Sequence, residues 1–215
     1  MIRTIIVEDS SIARQFLLDM LEKDGRFQVA AKYDDAFEAE KACAGGGIEL
    51  VLMDVQTAHN HSGLAAGERI RRSGAGTKVV AVTSLVDPDV LARARSGGAD
   101  SLWYKDHGDA ELMDVIDRTL AGERVFPDSA PSIELKEMFS GDITPRQLAL
   151  LRCILLGMTQ DEIAEKLNMT KNGVRWNIAQ LIEKGGFENK FELFIAIASN
   201  KLIADKLVES ETEEA

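Results

Sequence analysis

The sequence predicts an α/β region built on a five-stranded, doubly wound parallel sheet, followed by a small all-α region of helix-turn-helix layout. Three observations carry this reading. Short β-branched or apolar runs alternate five times with helix-period stretches from Ile2 to about Ala121, no strand pattern recurs beyond residue 142, and the later stretch is dense in helix-start signals. The expected strands are Ile2–Val7, Phe27–Ala31, Ile48–Met53, Lys78–Val82 and Ser101–Tyr104. The expected helices are Ile12–Leu21, Ala36–Ala44, Leu64–Arg71, Val90–Ser96 and Ala110–Leu120. Strict strand-helix alternation implies crossover connections, hence parallel pairing with helices on both faces. Gly45–Gly47 lacks the Lys-Ser/Thr of a phosphate-binding loop and reads as a helix stop before the third strand.

Composition bounds the alternatives. The chain has 215 residues, 45% hydrophobic and 28% charged, enough for one large core or two modest ones and too apolar for a disordered chain. No apolar run approaches the ~20 residues of a membrane span, and no signal-peptide start is present, so a soluble, cytoplasmic protein is expected. Cys43 and Cys153 lie far apart inside helical patterns and read as small core residues. The net charge of −11 opposes non-specific nucleic-acid coating. That acidity is uneven: residues 141–203 hold 8 Lys and Arg against 7 Asp and Glu, a net +1, whereas 204–215 hold 1 against 5.

Residues 123–142, with Pro127 and Pro131, read as a linker in which Ile133–Phe139 has the pattern of a short helix. Four short helices are expected over 143–203. Thr144-Pro145-Arg146-Gln147 and Thr159-Gln160-Asp161-Glu162 are capping boxes, and Thr170 is a third N-cap. The run 204–215 reads as a solvated acidic tail.

In an open parallel sheet, sites form beyond the carboxyl ends of the strands. Glu8 and Asp9 follow the first strand, Asp54 the third, Thr83 the fourth and Lys105 the fifth. Converging carboxylates repel unless positive charge sits among them, and all-oxygen ligation suits Mg2+ held by Asp9, Asp54 and a backbone carbonyl. Asp54 is the central candidate nucleophile toward phosphorus, with Lys105 and the Thr83 hydroxyl placed to meet phosphoryl oxygens. His59 and His61 read as solvated loop residues, and His107 as a flank of the last helix of this region.

Over nearly all of residues 1–122 the chain resembles the receiver domain of two-component response regulators. The matching residues are Glu8-Asp9 in Ile-Val-Glu-Asp-Ser, Asp54 in Val-Leu-Met-Asp-Val, Thr83 in Val-Thr-Ser, and Lys105 after Gly-Ala-Asp-Ser-Leu-Trp-Tyr. The resemblance implies phosphorylation of Asp54 by a sensor histidine kinase, with Mg2+ held by Glu8, Asp9, Asp54 and the carbonyl of Gln56. Two positions depart from the family pattern. Ala58–Gly63 replaces a Pro-containing loop and is one residue longer, and Leu102 stands where the family often carries a switch aromatic.

A helix over Gln160–Leu167, a turn at Asn168–Met169 and a second helix from Lys171 give a helix-turn-helix. Ile163, Ala164, Leu167, Val174, Ile178, Leu181 and Ile182 form its buried face. On the other face, Asn172 and Arg175 are placed to read base edges, Lys171 and Lys190 to meet phosphates, and Trp176 to make an apolar contact. Residues 143–203 resemble the LuxR/NarL-type module through Ile-Thr-Pro-Arg-Gln, Gly-Met-Thr-Gln-Asp-Glu-Ile-Ala-Glu-Lys-Leu and Thr-Lys-Asn-Gly-Val-Arg-Trp-Asn-Ile. Gly173, Asn177, Ala179, Glu183 and Glu188 depart from that family's second helix. The expected protein is a response regulator that binds promoter DNA as a homodimer, not an enzyme. The alternative is a signalling adaptor whose C-terminal helices dock a protein partner.

Overall fold

A computed structural model describes residues 1–105 and 107–203; the expected acidic tail, 204–215, lies outside the described residues. The chain divides into two compact units, Met1–Ser84 with Pro88–Ser129, and Leu85–Asp87 with residues 130–203.

The first unit runs β1 (Ile2–Val7), α1 (Ser11–Asp24), β2 (Phe27–Tyr33), α2 (Ala36–Ala44), β3 (Leu50–Asp54), α3 (Gly63–Arg72), β4 (Lys78–Thr83), α4 (Pro88–Arg93), β5 (Ser101–Tyr104) and α5 (Asp109–Leu120). All five strands pair in parallel in the order β2-β1-β3-β4-β5. Strand order therefore reverses between β1 and β3, the topological switch point where a crevice opens. Two-residue periodicity buries both faces. Ile6, Leu50, Leu52, Val80, Val82 and Trp103 pack with Leu17 and Leu21 of α1 and Leu112, Val115 and Ile116 of α5, while Ile5, Val7, Val51, Met53, Val79 and Ala81 are equally buried.

Several boundaries differ from expectation, and the differences matter at the site. The third strand begins at Leu50 and ends on Asp54, and the fourth ends on Thr83, so both residues are held by strand pairing. The expected helix Val90–Ser96 is α4 followed by a π-helical turn, Ala94–Gly98. Gly45 ends α2, and Gly46 and Gly47 take the left-handed backbone that the turn into β3 needs. After α5 the chain returns to the sheet edge: the Leu102 N–H donates to the Val125 carbonyl (3.0 Å) and the Val125 N–H to Ser101 Oγ (2.9 Å).

In the second unit, the expected short helix at Ile133–Phe139 is instead a hairpin, β6 (Glu134–Leu135) and β7 (Met138–Phe139). Lys136 adopts φ 56° in the turn, and the hairpin buries Leu135 and Met138 while Glu134 and Phe139 stay exposed. With so few residues, the two-residue alternation could not be told from a helical turn. Among the described residues four α-helices follow: α6 (Pro145–Leu155), α7 (Gln160–Lys166), α8 (Lys171–Lys184) and α9 (Lys190–Ser199). Both capping boxes form, and Thr170 Oγ1 accepts from the Gly173 N–H. Asn168 carries φ 50° in the turn between α7 and α8. Ile163, Ala164 and Val174 join Leu150 and Cys153 in one cluster, while Leu181 joins Leu148, Leu151, Leu193 and Ile197 in another; Leu167, Ile178 and Ile182 are partly buried. Both cysteines are buried and free. Among the described residues no helix is long and apolar enough to cross a membrane.

Candidate functional site

The carboxyl ends of β1, β3 and β5 bring Glu8, Asp54 and Lys105 together. Lys105 Nζ donates to Glu8 Oε2 at 2.6 Å and to Asp54 Oδ2 at 2.8 Å, so one ammonium bridges two buried carboxylates. Asp9 is exposed beside them, and ligand oxygens of Glu8, Asp9 and Asp54 lie within 4.8 Å of one another. The two buried acids each accept a backbone N–H. The Ser10 N–H donates to Glu8 Oε1 (3.1 Å), the Gln56 N–H to Asp54 Oδ1 (3.4 Å), and Arg14 donates to the Glu8 carbonyl (3.0 Å). The Lys105 N–H donates to the Thr83 carbonyl at 2.8 Å, which continues the β4–β5 ladder and places fully buried Thr83 next to Lys105.

Burial pushes the Asp54 carboxyl up to about 7, against the attraction of Lys105 and helped by the charge of Glu8. For Lys105, burial works against the charged form, but Asp54 and Glu8 together outweigh it and raise its pKa. An unbalanced negative charge thus sits in a partly exposed crevice. The donor set consists of carboxylate oxygens, hard ligands that fit Mg2+. This is the one such acidic or His/Cys cluster among the described residues.

Gly63 is the residue that sequence reasoning did not single out as part of the site. A β-carbon there would fall on the Asp54 carbonyl oxygen, 3.0 Å from its carbonyl carbon and 2.9 Å from Met53 Cγ. The start of α3 thus lies directly against the end of β3, and only glycine permits that approach. Its sequence signal is a glycine just after the N-cap Ser62.

In the loop between Asp54 and α3, His59 and His61 keep exposed side chains, as expected of loop residues, and both also meet Asp35. Their Nδ1 atoms lie 3.1 and 2.7 Å from the two oxygens of Asp35, although the His59 side chain remains 77% exposed. Burial works against the Asp35 charge, but hydrogen bonds from His61, the Phe37 N–H and His59 hold its pKa below the usual range. Asp35 also caps α2. His59 and Asn60 both take left-handed backbone, a conformation costing about 1–2 kcal/mol per residue in a non-glycine. The Asp35 contacts and the Thr57–His61 bonds hold that conformation. Leu102 is buried in β5, and His107 flanks α5 with Nδ1 2.7 Å from Glu111.

Residues 4–117 match the family model of the response regulator receiver domain. The chain belongs to the response regulator receiver family. Residues 143–185 of this response regulator match the family described as winged helix-turn-helix DNA-binding. It carries a receiver domain and a helix-turn-helix DNA-binding domain of the LuxR/NarL type. Among its relatives is a transcriptional regulatory protein of Bacillus subtilis, YvfU, 28% identical over 89% of this chain and 94% of the relative. Another is the nitrate/nitrite response regulator NarP of Escherichia coli, 27% identical over 85% and 87%. A solved LuxR-family response regulator from Aurantimonas is 26% identical with a TM-score of 0.53, covering 60% of this chain and 89% of that one. RcsB of Salmonella enterica, solved on promoter rprA with the phosphomimetic BeF3−, shares the fold at 18% identity and a TM-score of 0.58, over 93% and 99%.

In the DNA-binding domain, Lys171, Asn172, Arg175 and Trp176 all lie exposed on the first two turns of α8, Trp176 at 60%. Two of the four are already engaged: Lys171 Nζ lies 2.7 Å from Asp161 Oδ1, and Arg175 Nε donates to Gln160 Oε1 at 3.1 Å. Lys190 lies on α9, where its Nζ sits 5.3 Å from the Phe191 ring centroid. Gly173 leaves room for only a tight β-carbon, 3.2 Å from Thr170 Oγ1.

Proposed function

We propose that Asp54 accepts a phosphoryl group from a sensor histidine kinase in the cytoplasm and that this event controls binding of promoter DNA. An Asp54 carboxylate oxygen attacks phosphorus, the P–N bond to the kinase imidazole breaks, and the imidazole leaves with its electron pair and takes up a proton. Glu8, Asp9, Asp54 and the Gln56 carbonyl are the residues that would hold Mg2+. When bound, that ion supplies positive charge to the phosphoryl oxygens. Lys105 gives up its bond to Asp54 and meets a phosphoryl oxygen, and Thr83, adjacent in the ladder, offers its hydroxyl to another. These contacts exist only after transfer, so they favour a second receiver state.

In the DNA-binding domain, α8 enters the major groove. Asn172 and Arg175 read base edges, Trp176 makes an apolar contact, and Lys171 and Lys190 meet phosphates. A net charge of +1 over 141–203 gives one copy little electrostatic affinity, so a homodimer on two half-sites is required. The observation that supports the whole reading is the Lys105 ammonium shared between Glu8 and Asp54 at the switch point of the sheet.

The test is incubation with acetyl phosphate or beryllofluoride and Mg2+, followed by sizing and DNA footprinting. Phosphate-dependent dimerisation and protection of a defined DNA segment are expected, both lost in Asp54→Asn and Lys105→Ala. Equal DNA affinity of Asp54→Asn and the phosphorylated wild type would overturn the proposal. A modified protein that protects no DNA would instead favour an adaptor role for the exposed Trp176 face.

A further inference from the structure

The first two residues of α7 each hold one cation of α8. Both oxygens of Asp161 lie against Lys171 Nζ, at 2.7 and 2.8 Å, and Gln160 Oε1 accepts from Arg175 Nε. Lys171 and Arg175 are four residues apart on one helix and share a face. The Asp161 and Lys171 side chains are 67% and 58% exposed, so the pair lies in solvent on the surface that would meet DNA, and nothing in the fold depends on it for burial.

An exposed ion pair of this kind adds little to stability. Its position suggests another consequence. A carboxylate that grips the cation with both oxygens occupies the place of a phosphate, and binding DNA then exchanges one anion for another and gains no fresh neutralisation. Over residues 141–203, where the net charge is +1, removing this single acid doubles it to +2.

We propose that Asp161 is an affinity- and specificity-setting residue for DNA binding, acting as an internal substitute for a DNA phosphate that holds Lys171 until a cognate site displaces it. The inference rests on the DNA-binding reading above. Non-specific binding is electrostatic, so Asp161 suppresses it most strongly. A cognate site adds base contacts by Asn172, Arg175 and Trp176 that make up for the lost ion pair. The device keeps the weakly charged module off random DNA.

The test compares wild type, Asp161→Asn, Lys171→Gln and the double variant, as beryllofluoride-treated full-length proteins. The probes are a duplex recovered from a random pool by in vitro selection and a scrambled duplex of equal composition. Asp161→Asn keeps the side-chain shape and leaves the Thr159–Glu162 capping box in place. It should tighten binding to both duplexes, more for the scrambled one, so that the ratio between them falls. With one more phosphate neutralised per protomer, its binding should weaken about 3- to 4-fold more than wild type's between about 50 and 200 mM salt. In the Lys171→Gln background the gain should shrink, because no cation remains to release.

Unchanged or weaker affinity in Asp161→Asn overturns the inference, as does an equal gain with and without Lys171, which would mean simple charge repulsion. If wild type binds neither duplex at low salt, the DNA-binding reading fails and takes this inference with it. Wild-type binding with an unresponsive Asp161→Asn sinks the inference alone.

Discussion

Gly63→Ala tests whether the close approach of α3 to β3 sets the geometry of Asp54. The new β-carbon would fall on the Asp54 carbonyl oxygen, whereas a carbon and a carbonyl oxygen need about 3.3 Å. The nearest obstacle is the Asp54 backbone itself, so no movement of a side chain relieves the clash, and β3 and α3 must separate by about 1 Å or more. Overpacking of this kind costs about 1–3 kcal/mol of stability. The functional effect adds to the stability effect and is read separately from it. Asp54 meets Lys105 at 2.8 Å, and a misplacement of about 1 Å at a reacting group costs on the order of 100-fold in rate.

Gly67→Ala is the control, because its β-carbon would strike the Gly98 carbonyl and approach Val79 Cγ1 (3.3 Å), and its nearest neighbours include no atom of Asp54. Urea unfolding should show comparable losses for the two variants. Phosphorylation by acetyl phosphate under conditions where both are folded should be slowed about 100-fold in Gly63→Ala and little in Gly67→Ala. A folded Gly63→Ala protein phosphorylated at the wild-type rate would refute the argument.

Asp54→Asn should stabilise the metal-free protein at high pH. The folded-state pKa of Asp54 is raised from 3.8 to about 7, so this group's contribution is complete below 3.8 and lost as pH rises through about 7. Urea unfolding in a chelator should show the variant more stable than wild type near pH 8 and the difference closing toward about pH 4, with Mg2+ stabilising wild type alone. Lys105→Met removes the counter-charge from Glu8 and Asp54, so the Asp54 carboxyl should titrate above its wild-type value in carbon-detected NMR; an unchanged or lower value would contradict the bridge. Arg175→Ala should weaken specific DNA binding by about 1–3 kcal/mol and relax the preference at one base pair, read by binding to a panel of substituted duplexes. Thr159→Ala removes one half of a capping box and should cost about 1 kcal/mol of domain stability by thermal melting.

Much of the site was legible because its residues sit where element pattern alone places them. Asp54, Thr83 and Lys105 each end or follow an apolar run, and in a parallel sheet the run's carboxyl end is the crevice. The caps of α6, α7 and α8 were readable for a similar reason, since N-cap bonds reach only two or three residues along the chain. The hairpin at 134–139 was not, because a helical turn and two paired dipeptides share the same local spacing and only the packing of Leu135 and Met138 selects between them.

By itself the sequence determined the alternation of elements, hence the parallel sheet, and the chemical types collected at its edge, since period and side-chain identity are local properties. Tertiary structure alone decided which atoms meet. The double grip of Lys105, the contact of Gly63 with the Asp54 backbone, the hold of Asp35 on two histidines and the capture of Lys171 by Asp161 all depend on where separate elements come to rest against one another. Packing fixes contacts between such elements to within a few tenths of an ångström, and sequence spacing carries no information at that scale.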